Sequence, residues 1–346
     1  MVLCIRTNTS NAQRVKNKLL EEGILHPDFK VKHDKKILYF ALKQKPSDCS
    51  LGEFVDLSED ELVRNSKNSR IARPFKEVLS KILTEEEMSI AKTAYDHLGE
   101  IAIIEVPESL RFKEELIAKS LLDSNPLIKT VLRKDGIHDG VFRAQKMKFL
   151  AGKNTKIAEY RENGCVLEVN VEEVYFSARL STERKRISEQ IKNGEDVLVM
   201  FSGAGPYPCV FCKKSPAKSI VGVEINPAGH EFGLKNCERN KCTKVELFCG
   251  DVRSVVPSLN KTFDRIVMPL PKTAEEFLDV AIPVARTNAI IHLYAFYHED
   301  EFYKAKEEIE RYCNRFGRRF EILDFVKAGQ HAPRTWRICV DFKLLD

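Results

Sequence analysis

The sequence predicts an α/β fold whose C-terminal half is a doubly wound sheet with an antiparallel last strand. Three observations carry this expectation. From about residue 171, short apolar runs alternate with helical stretches, the pattern of a mostly parallel sheet covered on both faces. One of those runs ends in Ser202-Gly203-Ala204-Gly205-Pro206, a turn with two glycines that leads into a helix. The chain closes on two successive strands after its last helix, as in sheets whose final strand inserts antiparallel.

The elements follow in order. Residues 1–43 read as a small α/β unit, with strands at Val2–Ile5 and Ile37–Leu42. Between them Ala12–Glu22 sets Val15, Leu19 and Leu20 on one helical face. Residues 44–73 carry several Ser and Asn with Pro46 and Gly52 and read as a linker with one short helix. Residues 74–170 predict helices near 75–93 and 108–122 and strands at 100–105, 128–132, 156–160 and 165–170. Beyond that, strands fall at 196–201, 219–223, 245–248, 263–268, 289–295, 319–326 and 336–344, with helices after the Gly turn and at 227–239, 273–284 and 299–315. The implied organisation is a domain with linker at 1–66, a middle α/β domain at 67–170 and a sheet domain at 171–346.

Composition bounds the class. The 346 residues are 43% hydrophobic and 31% charged, with a net charge of +5, which describes an ordinary soluble chain with a mild basic bias. No apolar run reaches the ~18–20 residues of a membrane span, and the N-terminus is too short in apolar residues for a signal peptide. We therefore expect a cytoplasmic protein with reduced thiols among its ten cysteines. Cys209-x-x-Cys212 followed by Cys237 and Cys242 has the form of a zinc pattern. These cysteines also follow a strand and Gly turn, where small apolar residues pack helix on sheet, and on that reading no metal is expected.

The Gly turn suits a nucleotide, because glycine lets backbone approach a ligand and the next helix presents free N–H groups. Glu224, ending the next strand about 20 residues on, suits ribose hydroxyls. Gly250-Asp251-Val252 follows the third strand and can meet an adenine amino group. Met268-Pro269-Leu270-Pro271-Lys272 ends the fourth. All four lie at carboxyl ends of strands, where open α/β sheets bind ligands. A nicotinamide dehydrogenase also wants the acid after strand two. Against it stand the missing third glycine of Gly-x-Gly-x-x-Gly and the acidic turn after strand three.

Val174-Tyr175-Phe176-Ser177-Ala178-Arg179-Leu180-Ser181-Thr182-Glu183-Arg184, the Gly turn, Val223-Glu224-Ile225-Asn226-Pro227 and His331-Ala332-Pro333-Arg334 together resemble one family. It is the archaeal and eukaryotic type of tRNA (guanine-N1-)-methyltransferase, acting next to the anticodon, with close relatives in wyosine biosynthesis. The resemblance implies a class I methyltransferase, Rossmann-like domain preceded by small α/β RNA-binding domains, with S-adenosyl-L-methionine as cofactor and tRNA as partner, acting as a monomer. It implies cofactor contacts from Arg179, Phe201, Gly203, Gly205, Glu224, Ile225, Asp251, Val252, Pro269 and Pro271. Glu183 matches the family's general base, Arg143 the arginine at guanine O6, and Tyr175 a position lining the site.

N1 of guanine is protonated at neutral pH. Its alkylation needs a base there and a positive group near O6. Taken without the resemblance, Glu183 also suits the first turn of a helix. Lys146, Lys148, Lys153, Lys156, Arg161 and Arg184 with Lys185 and Arg186 suit phosphates, as do Lys30, Lys32, Lys35 and Lys36 in the N-terminal unit. One departure from the family is Pro269, where an Asn is usual. It has neither an N–H nor a side-chain amide. A wyosine-pathway methyl- or aminocarboxypropyl-transferase, or a non-catalytic tRNA-binding relative, are the alternatives.

Overall fold

The structure, a computed structural model, describes residues 1–26, 29–34, 36–62, 74–136, 142, 144–270 and 272–346. The chain folds as two compact units, Met1–Val78 with Asp123–Pro126, and Leu79–Leu122 with Leu127–Asp346.

The first unit holds β1 (Val2–Asn8), α1 (Ala12–Glu21), β2 (Lys32–Asp34), β3 (Ile37–Ala41) and β4 (Glu53–Leu57). They form one antiparallel sheet in the order β2-β3-β1-β4. Val15 and Leu19 of α1 are buried with Ile5, Leu38 and Phe40, as the helical spacing predicts, whereas Leu20, expected on the same face, is 56% exposed because it lies at that face's margin. The stretch expected to be linker contains β4, which pairs with β1 from Val2↔Leu57 to Arg6↔Glu53. Its alternation is weak because it is an edge strand with one paired side.

The chain continues through α2 (Phe75–Leu79), α3 (Glu85–Ile90), β5 (Tyr95–Leu98), β6 (Ile101–Ile104), α4 (Glu114–Ser124), β7 (Thr130–Lys134) and β8 (Met147–Gly152). The expected long helix at 75–93 is thus two short ones. A turn and the Thr84 cap divide them, where Glu87 and Thr84 bond each other reciprocally. Strands β5 to β8 form a four-stranded sheet in sequence order, with β6 and β7 parallel. The hairpin of β9 (Ile157–Glu162) and β10 (Cys165–Asn170) turns on Asn163-Gly164, both at positive φ, as a two-residue hairpin requires.

The remaining elements are α5 (Ser181–Gln190), β11 (Asp196–Met200), α6 (Pro206–Lys214), β12 (Ser219–Glu224), α7 (Pro227–Arg239) and β13 (Val245–Cys249). After them come α8 (Val252–Ser258), β14 (Phe263–Met268), α9 (Leu278–Ala281), β15 (Ala285–His298), α10 (Phe302–Arg315), β16 (Phe320–Ala332) and β17 (Thr335–Leu344). Their seven strands run β13-β12-β11-β14-β15-β17-β16. The first five are parallel, and β17 inserts antiparallel between β15 and β16. Alternate residues of β11 separate the faces. Leu198 and Met200 pack with α8, α9 and α10, whereas Val197 and Val199 pack with Ile187 of α5 and Phe211 of α6. The hairpin edge is covered by α7: the amides of Asn236 and Asn240 each donate to and accept from the backbone of β10, at Glu168 and Val166 respectively. Those bonds satisfy backbone groups that an open edge would leave bare.

Candidate functional site

The carboxyl ends of β11, β12, β13 and β14 surround a cavity of about 200 Å³. Phe201, Gly203, Glu224, Ile225, Asp251, Val252 and Pro269, all singled out in the sequence, line it. Phe201 follows β11 at φ 60°, a backbone state unusual for a bulky residue. Its ring meets Phe277 edge-on at 4.9 Å. Gly203 and Gly205 follow at φ 55° and 77°. A Cβ on Gly203 would meet nothing nearer than the Tyr175 carbonyl at 3.9 Å, so space stands open before the turn. Gly205 does not line the cavity; a Cβ there would press on Gly233 of α7 at 3.3 Å. It serves the turn's packing.

Glu224 is fixed by backbone donors. Its carboxylate accepts from Gly203 N–H at 2.6 Å and from Asn226 N–H at 2.8 Å. Burial pushes its carboxyl above the usual range, and the N–H groups of Asn226, Gly203 and Ile225 pull it down. Asp251 caps α8 by accepting from Arg253 N–H at 2.8 Å, and it also lines the cavity. An oriented carboxylate after strand two, an acid after strand three and an aromatic wall of Phe201 and Phe277 fit an adenosine-containing cofactor. Phe277, Asn226 and Phe142 were missed in the sequence. Asn226 carries a readable signal, since it caps α7 before Pro227. Phe277 lies in a short 3-10 turn and carries none.

A second cavity, about 390 Å³, lies beside the first. Val174 and Tyr175 line both. Arg179, expected at the cofactor, instead lines this one, where its guanidinium bonds Asp96 at 2.6 Å. Phe296 and His331 stack there at 4.2 Å. The Arg337 guanidinium lies over Phe296 and donates to the Tyr175 hydroxyl at 3.1 Å. Flat aromatic surface with cations beside it suits a nucleobase with adjoining phosphate.

Glu183 lines neither cavity. It is buried at the start of α5, where Arg186 bonds both of its oxygens at 3.0–3.2 Å and the Tyr294 hydroxyl donates to Oε2 at 2.9 Å. Tyr294 packs in the same apolar cluster as Ala328, which lines the larger cavity. The contacts extend inward. Arg186 donates to Asp341 at 2.5 Å, Asp341 bonds His292 Nδ1 at 2.7 Å, and His292 Nε2 faces Arg265 at 2.8 Å. Arg265 in turn donates to Glu195 at 2.7 Å. Against the opposing effect of burial, His292 and Arg186 hold the Asp341 carboxyl far below its usual range.

The reading of Arg184 as a phosphate contact is corrected. Its side chain is 2% exposed and paired through Nε and Nη2 with Glu162, itself 1% exposed, and it lies over the rings of Phe176 and Tyr207. It serves the core, joining α5 to β9. Lys146 and Lys148 are exposed, and Lys148 pairs with Glu114 at 2.6 Å. Arg143, Pro271 and Lys35 lie outside the described residues.

With this geometry in hand, comparison with known proteins is specific. The family model of the TRM5/TYW2 methyltransferase domain matches residues 158–323, that of the TYW2 N-terminal domain 75–155, and that of the tRNA methyltransferase 5 N-terminal domain 4–50. The chain is 31% identical over 345 residues to the tRNA (guanine(37)-N(1))-methyltransferase Trm5b of Pyrococcus abyssi, covering 99% of each. It is 29% identical over 303 residues to the tRNA (guanine(37)-N(1))/4-demethylwyosine(37)-methyltransferase Taw22 of Nanoarchaeum equitans, covering 73% of this chain and 100% of that one. Among solved structures it resembles a Trm5 in complex with tRNALeu, with a TM-score of 0.72 at 28% identity over 99% of this chain and 100% of that one. It also resembles Methanocaldococcus jannaschii Trm5 in complex with adenosine, with a TM-score of 0.67 at 28% identity over 99% of each.

Proposed function

Because this chain belongs to the TRM5/TYW2 methyltransferase family, we propose that it methylates N1 of the guanosine at position 37 of tRNA, using S-adenosyl-L-methionine. The observation that carries the reading is the pair of cavities meeting at Val174 and Tyr175. One has the carboxylates and aromatic wall for an adenosine cofactor; the other has the stacked aromatics and cations for a nucleobase. Related Trm5 proteins solved in complex with adenosine and with tRNALeu support the two ligand classes.

When bound, the cofactor supplies an electrophilic methyl group. The residues of this chain do the rest. Glu224 holds the ribose hydroxyls, and Asp251 is placed for the adenine amino group. Phe201 and Phe277 exclude water from the rings. We assign removal of the N1 proton to Glu183. Its support is a carboxylate fixed by Arg186 and Tyr294 within the cluster that reaches the larger cavity through Ala328. To meet a nucleobase, Glu183 must loosen its fork with Arg186, so tRNA binding and activation of the base are coupled in this scheme. Arg143 is assigned to the charge developing at O6; its neighbour Phe142 lines the cofactor cavity. Lys146 and the N-terminal lysines Lys30, Lys32 and Lys36 are assigned to phosphates.

Incubation with unmodified tRNA transcript and methyl-labelled cofactor should yield labelled 1-methylguanosine on nucleoside analysis. Tight tRNA binding with no label transferred would overturn the reading. Glu183→Gln should slow single-turnover methylation severely while cofactor affinity is kept, and unchanged turnover would remove Glu183 as the base. Pro269 favours a second reading, methylation of a wyosine intermediate at the same position. It lines the cofactor cavity where the family's amide is absent. Label found only in tRNA that already carries 4-demethylwyosine would support it.

A further inference from the structure

Four cysteines outside both cavities meet between α6 and α7. Cys209 and Cys212 are one turn apart on α6, Cys237 lies in the last turns of α7, and Cys242 follows that helix. Lys241 at φ 56° turns the chain back, and Cys242 N–H bonds the Cys237 carbonyl at 2.9 Å. That turn returns the second sulfur of the pair to the first. The ligand atoms of Cys209, Cys237 and Cys242 lie within 4.8 Å of one another, and all three residues are buried. The Sγ atoms of Cys209 and Cys237 are 3.8 Å apart. A disulfide needs ~2.0 Å, so these are thiols. A tetrahedron with metal–sulfur bonds of ~2.3 Å has sulfur–sulfur edges of ~3.8 Å.

We infer that Cys209, Cys237 and Cys242, with Cys212 as the fourth ligand, form a tetrathiolate site for a soft divalent metal ion of the zinc class. Cys212 is half-buried and packs against the cluster that holds Cys209, Cys237 and Cys242. Cys165, Leu167 and Val210 surround the group, a closed apolar shell of the kind structural zinc sites have. Each thiol that ligates releases one proton as the metal binds. The site ties the first turns of α6 to the end of α7. Cys209 N–H bonds the carbonyl of Gly205 at 3.0 Å, so the metal clamps the helix that carries the Gly turn. Its role is structural and independent of the methyl-transfer reading.

The test uses the full chain purified without chelator, with a phosphine as reductant. Elemental analysis should find one zinc per chain. After chelation, Co²⁺ should restore stoichiometric binding with the thiolate-to-cobalt charge-transfer band and the red ligand-field bands of a tetrahedral sulfur site. Zn²⁺, and not Mg²⁺, should raise the melting temperature. Cys237→Ser and Cys242→Ser should each weaken metal affinity ~10-fold or more, whereas replacement of the exposed Cys249 by serine should not. If the serine variants fail to fold, the cobalt spectrum of the unaltered chain decides. A folded protein that carries no zinc and gives no thiolate-to-cobalt band would overturn the site and leave the four thiols as core packing.

Discussion

Glu224→Gln isolates the cofactor assignment with little change in shape. In the native chain both carboxylate oxygens already accept backbone N–H bonds, at 2.6 Å from Gly203 and 2.8 Å from Asn226. Each oxygen keeps a lone pair for a ribose hydroxyl. A hydrogen bond to a charged group contributes ~1.5–3 kcal/mol. The amide keeps one acceptor and turns the other atom into a donor that faces an N–H, so at least one such bond is lost. At ~1.4 kcal/mol per decade, cofactor affinity should fall ~10- to 100-fold. Calorimetric titration with S-adenosyl-L-methionine reads this directly, with tRNA affinity as the control, expected to stay within ~2-fold. A cofactor dissociation constant unchanged in a variant that melts like the parent would refute the ribose assignment.

Two further outcomes follow from buried charges. Arg184→Ala leaves the Glu162 carboxylate buried and alone, which costs ~3–5 kcal/mol. Denaturant midpoints should drop accordingly, and Arg184→Met with Glu162→Gln should recover much of the loss; a fall in tRNA affinity with full stability would restore Arg184 as a phosphate contact. Burial pushes the His292 imidazole down, ahead of the opposing pull from Asp341. Its folded pKa therefore lies below the unfolded ~6.5, and the unfolded chain binds a proton there that the native one refuses. Stability should fall as pH drops below about 6.5, by up to ~1.4 kcal/mol per pH unit from this group. In His292→Gln, whatever its overall stability, that slope between pH 6.5 and 5 should shrink, and an unchanged slope would assign it elsewhere.

Much of the sheet domain was legible because parallel strands buried on both faces are near-continuous apolar runs. Phe263–Met268 and Pro227–Arg239 fall where the pattern places them. The strands that escaped, β2, β4, β5 and β8, all lie at sheet edges. Such strands tolerate Asp96 and His97 in β5 or Glu53 and Asp56 in β4, which blur a period of two. The residues lining the smaller cavity were legible through their order at successive strand ends. The larger cavity was not, because it joins segments near 95, 145, 175, 296 and 330 that no local spacing connects. Arg184 was misread for the same reason. Its partner Glu162 lies on a hairpin 22 residues earlier, and a basic side chain in isolation reads as surface. The four cysteines stood out by spacing, but their convergence depends on the Lys241 turn.

The buried charges behind the larger cavity carry a consequence for the base. Glu183, Asp341 and Glu195 supply three carboxylates, while Arg186 and Arg265 supply two guanidiniums, and His292 is held neutral by burial. Three negative charges against two positive ones leave the connected group one positive charge short. Asp341→Asn removes the excess and leaves Arg186 with one charged partner, Glu183, so the fork that Glu183 must leave to reach a nucleobase tightens. Single-turnover methylation should slow. Native-like melting would be needed to read the result, since the asparagine amide can still accept from Arg186 or His292. An unchanged rate would mean that the Asp341 charge does not act on Glu183 through Arg186.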